Sequence, residues 1–303
     1  MSNKNSIWVQ SKPLWPLIPA AIYLTTFFFI VLIYILLISF GSSEGFPSFV
    51  ALHSVLHNED FHTALVNTIV FALVGTPLEL FIGIFLAILI FKAYKGKNFL
   101  RWLFIIPFAL PGLVVATLLF ILFGSSGGFF NDLIQGGYPP FPQIWFNGDI
   151  NWRGNDFFAL SISLLGKVWR DMPISMLIIL SSLNAIDQQL MDAAKTLGAG
   201  FRYRLFKIII PLLFPALTTV LLLRSVEMWK EFIFPYILAK KTFVLGTYID
   251  YLFTTSSTMV QREHEAAIVG LVIVVGVIIS LLIISFIMGL LKKWYIDPGV
   301  SGK

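Results

Sequence analysis

The sequence contains no cysteine, which excludes disulfides, thiolate metal sites and cysteine nucleophiles. Charge is scarce as well. Charged residues make up 12% of the 303 residues against 57% hydrophobic, too few to cover a soluble globule of this size. The chain therefore needs an apolar solvent. A phosphate-binding loop is also missing, because Gly96-Lys97 is followed by Asn98 and lacks the earlier glycine. No ATP site is expected. No nucleophile-base motif or metal cluster falls within an apolar segment, which argues against a membrane enzyme. The sequence carries neither an internal repeat nor a low-complexity tract.

What is present is a series of apolar segments, approximately 14–40, 63–91, 102–123, 158–185, 208–239 and 266–291. Each exceeds the roughly 20 residues a helix needs to cross a bilayer, with allowance for tilt. Each must be helical, since an isolated strand would leave its backbone groups unsatisfied in lipid. The expected fold is an all-α membrane protein with six transmembrane helices. Residues 1–13 form an N-terminal segment, 14–291 the membrane domain and 292–303 a C-terminal tail. The first apolar segment is longer than a signal-peptide core and is expected to be a retained span.

The formal net charge of +5 would suggest nucleic acid in a soluble protein, but here the side of the membrane matters more. With the N-terminus in the cytoplasm, 13 basic residues fall on inner segments and 4 on outer ones. That asymmetry predicts both termini inside. His53, His57, His62 and His264 then lie at or beyond the outer edge, where no pair has ligand spacing beside a carboxylate, so no metal site is expected. Trp8, Trp15, Trp102 and Trp294 fall at the inner interface, a setting that suits an indole.

Residues 186–207 form the long inner loop. Within it and beyond, 191–215 reads as a helix, a Gly-Ala-Gly break and a second amphipathic run into a proline-marked span. Asp192, Ala193 and Ala194 offer an acid and two small side chains to an approaching surface, and Gly198 can take the positive φ that follows a helix end. An acid-Ala-Ala, three residues, Gly, nine residues, Ile, two residues, Pro resembles the coupling loop of binding-protein-dependent ABC importer permeases. It falls here on Asp192, Ala193, Ala194, Gly198, Ile208 and Pro211. The resemblance extends to the carbohydrate branch of the family, the maltose-type and glycerol-phosphate-type permeases. It includes Asn67-Thr68, Arg101, Pro107, Pro111, Gly128, Asn131, Trp169 and Pro173. Those permeases often have Glu in place of Asp192 and Asp-Gly-Ala in place of Leu197-Gly198-Ala199. The resemblance implies a bacterial cytoplasmic-membrane complex. It would contain a second related permease, two cytosolic ATPase subunits that hold ATP and Mg, and an external solute-binding protein. This chain would be a non-enzymatic transport subunit with no bound cofactor, carrying a sugar-like solute.

Ionisable residues within spans are costly and mark interiors or wet cavities. Two clusters occur: Lys167, Trp169, Arg170 and Asp171 in the fourth segment, and Arg224, Glu227, Trp229, Lys230 and Glu231 in the fifth. Counted at 1.5 Å per residue, both lie in the outer half of a ~30 Å core, so they can meet. Each has an aromatic ring followed by a base and an acid, which suits the C–H face and hydroxyl rim of a pyranose. Helix spacing equally permits structural ion pairs, Lys167 with Asp171 and Glu227 with Lys230. Glu79 either satisfies backbone groups freed by Pro77 or lines the pathway. Two alternatives stand beside the sugar permease. One is an ABC permease for a phosphorylated polyol or polyamine. The other is a proton-coupled carrier using Glu79, Asp171, Glu227 and Glu231, which the missing repeat disfavours.

Overall fold

The computed structural model describes residues 15–41, 45–92, 95–135, 150–240, 242–255 and 259–296. Lys4, Trp8, Lys12, Lys241, Lys303 and the whole of the expected N-terminal segment lie outside them, as do the side chains of Trp15 and Trp294. Every regular element among the described residues is helical. In chain order these are α1 (Ile18–Ser39), α2 (Val50–Leu56), α3 (Glu59–Val70), α4 (Thr76–Lys92), α5 (Lys97–Ala109), α6 (Gly112–Leu122) and α7 (Phe129–Ile134). They continue with α8 (Asp156–Asn184), α9 (Gln188–Thr196), α10 (Phe201–Arg204), α11 (Ile210–Trp229), α12 (Ile233–Leu238), α13 (Leu245–Thr255) and α14 (Met259–Ile296). Among the described residues, four helical stretches are long and apolar enough to cross a membrane, or up to six if each of two bent pairs is one span.

The bends account for where the structure departs from six unbroken segments. The third apolar segment is broken: α5 and α6 meet at 89°. Pro111 holds Leu110 in an extended conformation (φ −81, ψ 136), as the residue before a proline prefers. The fifth segment also breaks, at Lys230–Phe232. Pro235 would clash with the carbonyl four residues back, that of Glu231, so the helix stops there and restarts as α12. The same chemistry places two π-helical turns, Phe71–Gly75 and Leu205–Ile209. They lie just before Pro77 and Pro211, whose rings face the carbonyls of Leu73 and Lys207. The expected outer loops contain helices of their own, α2 and α13, and the last helix begins well before residue 266.

Caps fix the helix starts. The Asn58 side chain accepts from Asp60 N at 2.8 Å ahead of α3, and Asn155 accepts from Phe157 N at 2.9 Å ahead of α8. α4 and α8 pack so closely that a Cβ on Gly83 would lie 2.7 Å from Ser175 Cβ. Two of the three apolar clusters among the described residues run along this contact. One gathers Phe61, Val168, Tyr248 and Val269, and the other gathers Leu86, Met176, Ile179 and Val220. α1 packs against α14 and leaves most of its apolar surface facing outward.

Candidate functional site

Between these two apolar clusters α4, α8, α11 and the break after α11 bring seven ionisable side chains together. Lys167, nearly buried, places Nζ 2.6 Å from Asp171 Oδ2 and 3.0 Å from Glu231 Oε2. Glu227 Oε2 is 4.0 Å from the same ammonium. Asp171 also receives Arg170 Nη1 at 2.6 Å. Arg224 stands between two carboxylates, with Nη1 3.7 Å from Asp171 Oδ2 and Nε 3.7 Å from Glu79 Oε2. Neither contact is a hydrogen bond at that distance. The fourth and fifth segments therefore meet through their charges, and the intrahelical pairing of Lys167 with Asp171 and the contact across helices coexist.

Glu79 is fully buried, and neither carboxylate oxygen has a hydrogen-bond partner among the described residues. It does not satisfy backbone groups freed by Pro77. It faces Arg224 instead, a long-range pairing that sequence spacing cannot reveal. Glu231 lies in the break after α11 rather than on the helix. Its Oε1 accepts from Phe234 N at 3.1 Å, which caps α12. Arg170 has a second role: its Nε donates to Leu110 O at 3.3 Å, pinning the elbow between α5 and α6.

The two tryptophans part company. Trp169 is 45% exposed and lines an apolar cavity of ≈ 390 Å³ with Leu119, Phe123 and Phe130. Trp229 is buried, donates from Nε1 to Ser280 Oγ at 2.8 Å, and lies against Gly276 of α14. Lys230 pairs with Glu227 at 2.8 Å at an exposed edge. Trp169, Arg170, Glu227 and Lys230 thus form the accessible rim of the cluster, and Lys167, Asp171, Arg224 and Glu79 form its buried base.

The second element is α9 and the chain that follows it. Asp187 caps α9 by accepting from Gln189 N at 2.8 Å. The helix ends in a Schellman motif: Ala199 N donates to Ala194 O at 3.0 Å, Gly198 N donates to Lys195 O at 2.9 Å, and Gly198 has φ +78. Asp192 and Ala193 are exposed, whereas Ala194 is buried. Asp192 Oδ1 accepts from Lys195 Nζ at 2.8 Å and Gln188 Nε2 at 3.1 Å. These hydrogen bonds hold the Asp192 carboxyl below the usual carboxylate range. Ile208 lies in the second π turn and Pro211 in the first turn of α11.

Other residues singled out in the sequence anchor loops. Asn67 Nδ2 donates to Phe243 O at 2.8 Å, and Thr68 Oγ1 accepts from Leu245 N at 2.9 Å. Asn131 bridges the chain around Gly124 to Ile150 and Trp152 Nε1. His53 and His57 stack at 3.9 Å. Among the described residues no group of three His, Asp or Glu side chains could hold a metal ion.

The chain is 30% identical over 184 residues to the trehalose/maltose transport system permease protein MalF of Thermococcus litoralis, covering 61% of this chain and 60% of that protein. It is also 30% identical to the sulfoquinovosyl glycerol transport system permease protein SmoG of Agrobacterium fabrum, over 68% of this chain and 66% of that one. Its fold matches a subunit of a bacterial alginate ABC transporter solved in complex with an alginate pentasaccharide-bound periplasmic protein. The TM-score is 0.73 at 18% identity, over 95% of this chain and 98% of that one. Residues 79–298 match the family described as the binding-protein-dependent transport system inner membrane component. These residues include α9, Gly198 and all of the charged cluster, and the chain belongs to that family.

Proposed function

We propose that this chain is the multi-pass permease subunit through which an ATP-binding cassette importer moves a sugar or sugar-like solute into the cell. The solute class is an oligosaccharide, glycoside or polyol osmolyte. The observation that carries this reading is α9 with its Schellman end. The capped helix offers Asp192 and Ala193 to a partner and continues through Gly198 and α10 into the proline-marked α11, which bears Arg224 and Glu227. A rigid lever of this kind transmits a push, whereas a flexible loop would absorb it.

On this reading α1, α3 with α4, α5 with α6, α8, α11 with α12, and α14 are six spans, and both termini are cytoplasmic. The 13 to 4 division of basic residues supports that orientation. The partners are a second permease, two cytosolic ATPase subunits binding ATP and Mg, and an external solute-binding protein in a bacterial cytoplasmic membrane. The solute path runs along the accessible rim. The exposed ring of Trp169 supplies an apolar face, and Glu227 with Lys230 supplies hydrogen-bond acceptors and donors, the pair of surfaces a pyranose presents in complement. Relatives named for trehalose, maltose and sulfoquinovosyl glycerol support a carbohydrate.

The test is uptake into proteoliposomes that hold the full complex, with binding protein loaded with trehalose or maltose outside. ATP-dependent accumulation is expected. Accumulation driven by a proton gradient without ATP would overturn the assignment.

A further inference from the structure

At the end of the bundle that carries α9, a pocket of ≈ 180 Å³ opens between the last turn of α4, α9 and α10. Its wall has two halves. Ile88, Phe91, Leu183 and Met191 are apolar, and Lys92, Lys195 and Arg204 supply positive charge. Lys195 is neutralised by Asp192 at 2.8 Å. The other two cations have no ion pair among the described residues. Lys92 Nζ sits 3.2 Å from the centroid of the Phe201 ring, and Arg204 Nε is buried without a hydrogen-bond partner. Three bases thus line a partly open pocket, and one acid, Asp192, pairs with one of them. Leaving a buried guanidinium N–H unmatched is costly, and an anionic oxygen acceptor relieves it.

The pocket also lies where a membrane-length helix ends, because Lys92 closes α4. That is the level of lipid headgroups, where basic pockets between spans take up anionic lipid. We propose that this pocket binds a phosphate group, and that its source is the headgroup of an anionic phospholipid. The cationic half holds the phosphate oxygens. The apolar half, continuous with the membrane-facing length of α4, takes the glycerol and the first acyl carbons. Seated there, the lipid touches α4, α9 and α10 at once and braces α9 against the second apolar segment. The bracing consequence rests on α9 being the coupling helix, whereas the binding does not.

The experiment uses the assembled, delipidated complex in detergent, read by native mass spectrometry and thermal unfolding. Phosphatidylglycerol is expected to be retained and to raise the unfolding temperature, with phosphatidylcholine doing neither. Lys92→Gln combined with Arg204→Gln should weaken phosphatidylglycerol binding about tenfold or more, since each basic group at an anionic headgroup is worth about fivefold. Arg202→Gln, an exposed charge off the pocket wall, should leave binding unchanged. If the double variant does not assemble, Lys92→Gln alone gives the reading, because that side chain is exposed. Protection by inorganic phosphate equal to that by phosphatidylglycerol keeps the phosphate site and replaces its source with the free ion. Equal retention by wild type and the pocket variants, or an equal loss in Arg202→Gln, overturns the proposal. Wild-type ATP-dependent uptake by a lipid-free pocket variant would remove only the bracing role.

Discussion

Lys167 and Glu231 lie 3.0 Å apart, joining the middle of α8 to the break that follows α11. The same ammonium holds Asp171 at 2.6 Å, so one base serves two buried carboxylates, one on α8 and one in the break after α11. A buried pair contributes little net stability when intact, but removing one partner strands the other and costs about 3–5 kcal/mol. Lys167→Met should therefore destabilise the complex by about that amount. Lys230→Met, at an exposed pair, should cost under about 1 kcal/mol. Thermal unfolding of the solubilised complex compares the two, and equal small losses would show that the buried network is not what joins these helices.

Trp169 and Trp229 provide a second contrast. Trp229→Ala empties a packed site against Gly276 and Ser280 and should cost about 3–5 kcal/mol, seen as poor assembly. Trp169→Ala removes an exposed ring from the cavity beside α6, so assembly should persist while solute uptake falls severalfold. Normal uptake by an assembled Trp169→Ala complex would take the solute path away from this rim.

The sequence pattern made these two tryptophans look alike, since each is followed by a base and an acid. The difference comes from the rotation of α11, which turns Trp229 toward Ser280 on α14, a contact no local pattern encodes. Glu79 facing Arg224 was hidden for the same reason. The meeting of the charged clusters was legible because their distances from the span ends placed both at one depth. The helix end at Gly198 was legible because a glycine after a helical run has few other uses. The breaks at Pro111 and before Pro235 were harder to see, because hydropathy stays high across them. Only the carbonyl that each proline ring would strike marks the position. The Lys195 partner of Asp192 stands at i+3 and could have been read from spacing alone.

Orientation can be read on this cysteine-free background. Ser126→Cys and Lys240→Cys, at exposed positions flanking α6 and α12, should react with an impermeant thiol reagent from outside intact cells. Asn98→Cys, at the start of α5, should react only after permeabilisation. The reverse labelling would invert the membrane sidedness proposed from the basic residues.

Gly198 gives the most discriminating test of coupling. Its φ of +78 lies where a side chain is strained, yet a Cβ built there meets nothing within 4 Å. Within this chain, then, Gly198→Ala should cost only the conformational penalty, about 1 kcal/mol, and Gly198→Asn somewhat less. The Cβ position is open within this chain, so a loss well beyond that penalty is expected to come from a surface pressed against α9. Gly198→Asp is expected to leave the permease assembled in the membrane while abolishing transport and releasing or uncoupling the ATPase subunits. Asp192 separates the electrostatic part. Lys195 and Gln188 both donate to its Oδ1 and keep it ionised, so on an exposed face it presents a carboxylate that is already paired with Lys195 and whose second oxygen is left for a partner's base. Asp192→Glu should be tolerated, whereas Asp192→Lys should reverse that charge beside Lys195 and fail. Transport and ATPase activity of the reconstituted complexes, measured together, distinguish a lost contact from a lost fold. Wild-type uptake by Gly198→Asp would end the role proposed for α9.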